Sequence, residues 1–258
     1  MLLHGLASQR RFWNLVVPYL AGLPVVALDQ RGHGDSQRPQ TGYETAVVAA
    51  DVGVALDALG WSRAVLVGHS WGGAVAATFA AAHPERSLAL VCVDGGFSSF
   101  PPGVDRASAR KRLEPPRFAL PPAELEAMIR QHTPRAWTDE VAAAVLPIFE
   151  VGPDGLARSR LPFEVHMQIV DALLDYDADT VLGAVRCPAW LVSCEAPGAD
   201  SAWIALKATA LERQAGHERV RVMRWGGAVH DVPLQWPALV AGLVRAAVDT
   251  AEAGGTDP

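Results

Sequence analysis

The sequence predicts an α/β protein: a mostly parallel twisted sheet with helices on both faces. Short, nearly continuous apolar runs recur along the chain, as strands buried on both faces require. Segments of helical periodicity lie between them, and that alternation is the pattern of parallel strands joined by crossovers. The 258 residues are 50% hydrophobic and 19% charged, which suits one large domain or a domain with an insert and excludes disorder and disulfide miniproteins.

In chain order, Val25 to Leu28 is the first strand-like run and Tyr43 to Leu59 the first helical pattern, closed by Gly60. Ala64 to Pro84 carries no charged residue and is long enough to span a bilayer. Its middle, Gly68-His69-Ser70-Trp71-Gly72-Gly73, clusters glycine and polar residues, so the stretch reads as strand, tight turn and helix. Leu88 to Val93 is a further strand. Strands at Ala189 to Val192 and Val220 to Met223 alternate with helices at Ser201 to Gly216 and Pro237 to Ala251.

The alternation stops over residues 97–186, where proline clusters and helix signals occur without a clear strand. Pro122-Ala-Glu-Leu-Glu opens one helix, Thr138-Asp139-Glu140 caps a second, and Phe163 to Tyr176 makes a third. The expected organisation is a core of residues 1–96 and 187–252, a helical lid over 97–186, and a disordered tail over 253–258.

With 22 basic and 28 acidic residues the net charge is −6, so no basic field exists to attract nucleic acid or anionic lipid. Cys92, Cys187 and Cys194 are odd in number and lack CxxC spacing, which fits a reducing compartment; Cys92 and Cys187 lie in strand-like apolar runs and read as small core residues. No basic segment followed by an apolar run opens the chain, so a cytoplasmic location is expected.

Gly68-His69-Ser70-Trp71-Gly72 fits the G-x-S-x-G nucleophile elbow in the strand-turn-helix context that motif needs. Such a turn exposes the Ser70 hydroxyl at a helix N-terminus, where the dipole and the Trp71 N–H can stabilise an oxyanion. A serine hydroxyl needs a base. His230 follows the last strand-like run and precedes the final helix, as the order serine, acid, histidine demands. His69 is expected to pack away from Ser70, and the remaining histidines have no matching context.

With these motifs in place, the chain resembles the α/β-hydrolase superfamily over nearly its whole length. Leu3-His4-Gly5, Asp29-Gln30-Arg31-Gly32-His33-Gly34-Asp35-Ser36, the Ser70 elbow, His83-Pro84-Glu85-Arg86 and Cys187-Pro188 carry the resemblance. It implies an oxyanion hole from the backbone N–H groups of Leu6 and Trp71, with Asp29 and Arg31 bracing their loop. It also implies that a hairpin found before the Leu3 strand in relatives is missing, leaving the Met1 to His4 region nearer a sheet edge and less protected.

The acid departs from the common pattern. Cys194 and Pro197 stand where most relatives place a glycine and the acid, with Glu195 and Asp200 as nearby substitutes. A subset of relatives carries the acid at the end of the strand before the lid, where Asp94 stands, and Asp94 is favoured. Asp94 could instead serve to cap a strand-end turn.

The expected activity is a cofactor-free serine hydrolase cleaving an ester, lactone or related acyl compound, with no metal. A serine at the elbow argues against dehalogenase or epoxide hydrolase chemistry, which in those relatives uses an aspartate. Carbon–carbon bond hydrolysis and acyl transfer share the triad, and a slow-turnover ligand-binding sensor is the alternative from another class. Phe97, Phe100, Phe118, Trp137, Phe149, Phe163 and Met167 are candidate linings of an apolar pocket. The 97–186 segment has ten basic and thirteen acidic residues, so no anionic substrate is implied.

Overall fold

A computed structural model describes residues 1–101 and 103–254. Its first elements are β1 (Leu2–Leu3), β2 (Ala27–Leu28), α1 (Thr45–Ala58), β3 (Ala64–His69), α2 (Trp71–Ala82) and β4 (Ser87–Val93). The inserted segment follows, with α3 (Arg106–Arg112), α4 (Pro122–His132), α5 (Asp139–Val145), β5 (Phe149–Val151), β6 (Ala157–Ser159), α6 (Phe163–Leu174) and α7 (Ala178–Ala184). The core resumes with β7 (Ala189–Glu195), α8 (Ser201–Gln214), β8 (Val220–Gly226), α9 (Val232–Gln235) and α10 (Pro237–Gly254).

Six strands form one sheet in the order β2-β1-β3-β4-β7-β8, and every adjacent pair is parallel. Successive residues of the central strands face opposite sides and both sides are covered. Leu66, Leu90 and Leu191 join one apolar cluster with Val52 of α1, Phe79 of α2 and Leu211 of α8. Val67, Val91 and Val192 join the other with Trp13, Leu234 of α9 and Val244 of α10. This two-sided burial is why the strands read as continuous rather than alternating apolar runs. Each large apolar side chain so buried contributes ~1.5–3 kcal/mol.

Four expectations change. The inserted segment contains a strand pair, β5 antiparallel to β6; each strand has three residues, too short to show a period of two. The strand β1 stands second from the sheet edge, as expected, but is not less protected: Met1, Leu2 and Leu3 are no more than 6% exposed, because β2 lies outside β1 and takes the edge; at two residues it is a short edge of the kind that limits unwanted pairing. Phe97 is fully buried and Met167 is 3% exposed, so both pack in the interior instead of lining an open pocket. Helix α10 runs to Gly254, which takes 253 and 254 out of the expected tail, while 255–258 lie outside the described residues.

Among the described residues, no helix is long and apolar enough to cross a membrane. The three cysteines are free and buried.

Candidate active site

The order of the strands reverses between β1 and β3: from β1 the chain goes to β2 on one side, then returns to β3 on the other. In open parallel sheets, ligands gather at such a switch, outside the carboxyl ends of the strands. The loop after β1 carries His4, Gly5 and Leu6, and the turn after β3 carries Ser70. A side-chain carbon on Gly5 would lie 3.1 Å from Ser70 Cβ.

Ser70 has φ 53° and ψ −123°, a left-handed backbone that costs a non-glycine residue about 1–3 kcal/mol. The surroundings enforce it. A Cβ on Gly68 would stand 2.1 Å from the Gly72 carbonyl oxygen, and one on Gly72 would stand 2.5 Å from the carbonyls of Leu3 and His4. The elbow glycines therefore let α2 close on β3 and β1, and the closure lifts the Ser70 hydroxyl out at the start of α2.

The hydroxyl donates to His230 Nε2 at 3.0 Å, and His230 Nδ1 donates to Asp94 Oδ2 at 2.7 Å. His230 sits in the turn after β8. There the Gln235 side chain accepts from the Val229 N–H and donates to the Gly227 carbonyl, fixing the loop. Partial burial pushes the imidazole pKa down, but the hydrogen bond and charge of Asp94 outweigh it, so the group titrates above its ordinary 6.5. The outer edge of the ring stays open, with 54% of the side chain exposed.

Asp94 follows β4 in a left-handed conformation, φ 50°, that aspartate tolerates better than most residues. Its Oδ1 accepts from the Cys194 N–H at 2.7 Å and from Lys207 Nζ at 2.7 Å. Burial works against its charge, yet the contacts with His230 and Lys207 hold the carboxyl below the usual carboxylate range. Glu195 and Asp200 are engaged elsewhere. Glu195 pairs with Arg224 on β8, and Asp200 caps α8 by accepting from the N–H groups of Ala202 and Trp203. The structure thus brings Asp94, not either alternative, to His230.

Among the described residues the backbone N–H groups of Leu6 and Trp71 have no protein acceptor. Two histidines brace the loop that carries Leu6. His4 Nδ1 donates to the Gly5 carbonyl while its Nε2 accepts from the Gln30 N–H; His33 Nδ1 donates to the Arg31 carbonyl while its Nε2 accepts from the Ala7 N–H. Each ring needs a bare nitrogen, and burial pushes the pKa values down to about 4 for His4 and about 3 for His33. Asp29 anchors the same region, accepting from Arg10 and from the Asp35 N–H, and Arg31 forms a two-pronged pair with Asp51.

His69 packs beside the site instead of away from it. Its Nε2 donates to the His230 carbonyl at 2.8 Å, and its ring lies against Phe12 on one side and His230 on the other. Sequence reasoning missed His4, His33, Gln235 and Lys207. The D-x-R-G-x-G loop pointed to His33, and Lys207 is flagged by its register: it shares a helix face with Ala210, Leu211 and Gln214, all buried.

The inserted segment reaches the same end of the sheet. Arg135 donates to the Leu234 carbonyl beside the His230 turn, Arg160 pairs with Asp35, and Gln168 donates to the Gln40 carbonyl. Its aromatics meet one another, α8 and nearby cations: Phe118 lies against Phe149, Phe100 against Trp203 of α8, and Phe163 beneath Arg117. A cavity of about 630 Å³ bounded by Met1, Val25, Trp61, Val65 and Val244 lies at the opposite, amino end of the strands. No group of three or more His, Cys, Asp or Glu that could hold a metal ion occurs among the described residues.

Comparison with known proteins agrees with this architecture. A stretch of 102 residues is 41% identical to epoxide hydrolase B of Mycobacterium tuberculosis, covering 38% of this chain and 29% of that protein. The chain thus spans under a third of that relative's length. A protein designated a carbamate hydrolase, RutD, of Variovorax paradoxus is 35% identical over 197 residues, 73% of this chain and 70% of the relative. The crystal structure of E-2-(acetamidomethylene)succinate hydrolase superposes with a TM-score of 0.78 at 24% identity, covering 96% of this chain and 90% of that one, a likeness of fold. The sequence profile of the alpha/beta hydrolase fold family matches residues 1–144, more than half of the chain, and the chain belongs to that family.

Proposed function

We propose that this protein is a cofactor-free serine hydrolase that cleaves an ester, lactone or related acyl compound. The observation that carries the reading is the unbroken hydrogen-bonded series from Ser70 Oγ through His230 to Asp94. Asp94 holds the proton of His230 on Nδ1, which leaves the Nε2 lone pair facing the hydroxyl. Ser70 Oγ attacks the carbonyl carbon as its proton passes to Nε2, and the carbonyl π pair moves onto oxygen. The N–H groups of Leu6 and Trp71 are the donors for that oxyanion. Collapse expels the leaving group, which takes the proton from His230. Water then attacks the acyl-serine as the same nitrogen takes its proton, and collapse breaks the bond to Ser70 Oγ, which recovers that proton from His230 as the acid is released.

The chemistry of the nucleophile separates this reading from the activity named for the epoxide hydrolase relative. Opening an epoxide with a serine would leave an alkyl ether, which offers water no carbonyl to attack, so the enzyme would not turn over. The carbamate hydrolase designation of the longer match favours including carbamates among the acyl compounds. The contacts of residues 97–186 with the Asp35 loop and with Leu234 support a lid role for that segment.

The test is a panel of p-nitrophenyl esters, lactones and carbamates with wild type and Ser70→Ala, alongside a fluorophosphonate probe. Rapid labelling of Ser70 and turnover that S70A abolishes are expected. Activity surviving in S70A, or an adduct on another residue, would overturn the proposal. Slow labelling with negligible turnover on the whole panel would favour the sensor alternative.

A further inference from the structure

Lys207 stands behind Asp94 and takes no direct part in the series Ser70, His230, Asp94. It projects from α8 and is 4% exposed. Its ammonium donates to Asp94 Oδ1 at 2.7 Å and to the Cys194 carbonyl at 2.6 Å. A buried ammonium is costly unless paired, and here it is paired with the carboxylate that faces the histidine. The Cys194 backbone grips the arrangement from both sides, giving its N–H to Asp94 Oδ1 and its carbonyl to Lys207.

We propose, resting on the serine hydrolase reading, that Lys207 is a positioning residue that locks Asp94 with Oδ2 toward His230 Nδ1 and offsets part of the carboxylate's charge as the imidazole feels it. The geometry gives the first half. With Oδ1 claimed by two donors on the β7 side, the carboxylate cannot rotate without breaking both bonds, so Oδ2 stays on the histidine. Electrostatics gives the second half. Asp94 draws a proton onto His230 and the Lys207 cation opposes it, so the pair leaves the imidazole neutral, and able to accept the Ser70 proton, over a wider range of pH than Asp94 alone would.

The other groups facing His230 are fixed or uncharged. Asp231 follows it in the chain and adds to the pull of Asp94. His69, at the end of β3, has its pKa pushed down to about 4 by burial and by His230 itself. The Cys194 thiol on β7 is pushed well up by burial, and Glu195 is occupied by Arg224. Lys207 is therefore the cation whose removal the histidine should register.

The experiment is a nuclear magnetic resonance titration of the His230 ring protons in S70A, S70A/K207Q and S70A/K207R, with pH profiles of kcat/KM for the matching enzymes carrying Ser70. Replacing Lys207 by neutral Gln should raise the His230 midpoint by about one pH unit, since loss of a nearby like charge favours the protonated ring. Arg, which keeps the cation, should hold the midpoint within about 0.3 of wild type. A His230 midpoint that Gln leaves unmoved overturns the proposal. So does an Arg midpoint displaced by a full unit, and this second reading stands even if the Gln variant does not fold. Failure of the fluorophosphonate to label Ser70 would refute the hydrolase reading and leave the titration intact, whereas normal labelling with an unmoved midpoint would refute the role of Lys207 alone.

Discussion

Replacing Asp94 by Asn changes one atom that faces His230, and the surrounding bonds dictate which one. Oδ1 accepts from the Cys194 N–H and from Lys207, so the amide must keep its carbonyl there; turning it would set an NH2 group against two donors. The amide nitrogen then occupies the position of Oδ2 and donates to His230 Nδ1. That nitrogen must give up its proton, the proton moves to Nε2, and the ring now points an N–H at Ser70 Oγ, where it cannot act as a base. In a serine protease with the same three groups, the equivalent change costs ~10⁴ in kcat. A loss of at least ~10³ is expected here, equivalent to about 4 kcal/mol of barrier at 1.36 kcal/mol per decade. Lys207 keeps two acceptors, so the fold should survive with a lowered melting temperature, which circular dichroism at the assay temperature verifies. The assay is kcat/KM on the best ester of the panel, with Glu195→Gln and Asp200→Asn as controls expected within about tenfold of wild type. A folded D94N enzyme retaining more than about a tenth of wild-type turnover, beside a dead E195Q or D200N, would refute the assignment of the acid.

The pH profile of kcat/KM should rise to a plateau with a midpoint above 6.5, because only neutral His230 accepts the Ser70 proton and Asp94 holds its pKa up; a profile flat from pH 5 to 9 would remove His230 as the base. Stability should fall on acidification from pH 6.5 toward 4, the window set by His4, His33 and His69 with pKa values of about 4, about 3 and about 4. In that range the unfolded chain binds protons that the folded one refuses, so stability rises with pH. The melting temperature followed by calorimetry checks this, and His33→Gln should flatten the slope. Gly68→Ala should abolish the folded elbow, since its Cβ would stand 2.1 Å from a carbonyl oxygen, whereas Gly242→Ala on the exposed face of α10, with nothing within 4 Å, should stabilise by about 0.5–1 kcal/mol in chemical denaturation.

The local sequence determined a large part of this protein. The apolar runs at Ala64 to Val67 and Leu88 to Val93 specify strands because a sheet covered on both faces needs every residue apolar. The elbow specifies a strained serine because only glycine fits at positions 68 and 72. His230 was legible for the same kind of reason, since a turn between the last strand and the last helix can reach one end of the sheet. Tertiary structure alone decided the rest. The sequence favours Asp94 over Glu195 and Asp200, but which of them meets His230 depends on how β4 and β7 lie beside each other, a relation between residues about a hundred positions apart. The register of α8 sets Lys207 on its buried face, but that it meets Asp94 is decided only when α8 docks. Burial next to an opposite charge is a property of two packed elements, and neither element carries it in its own sequence.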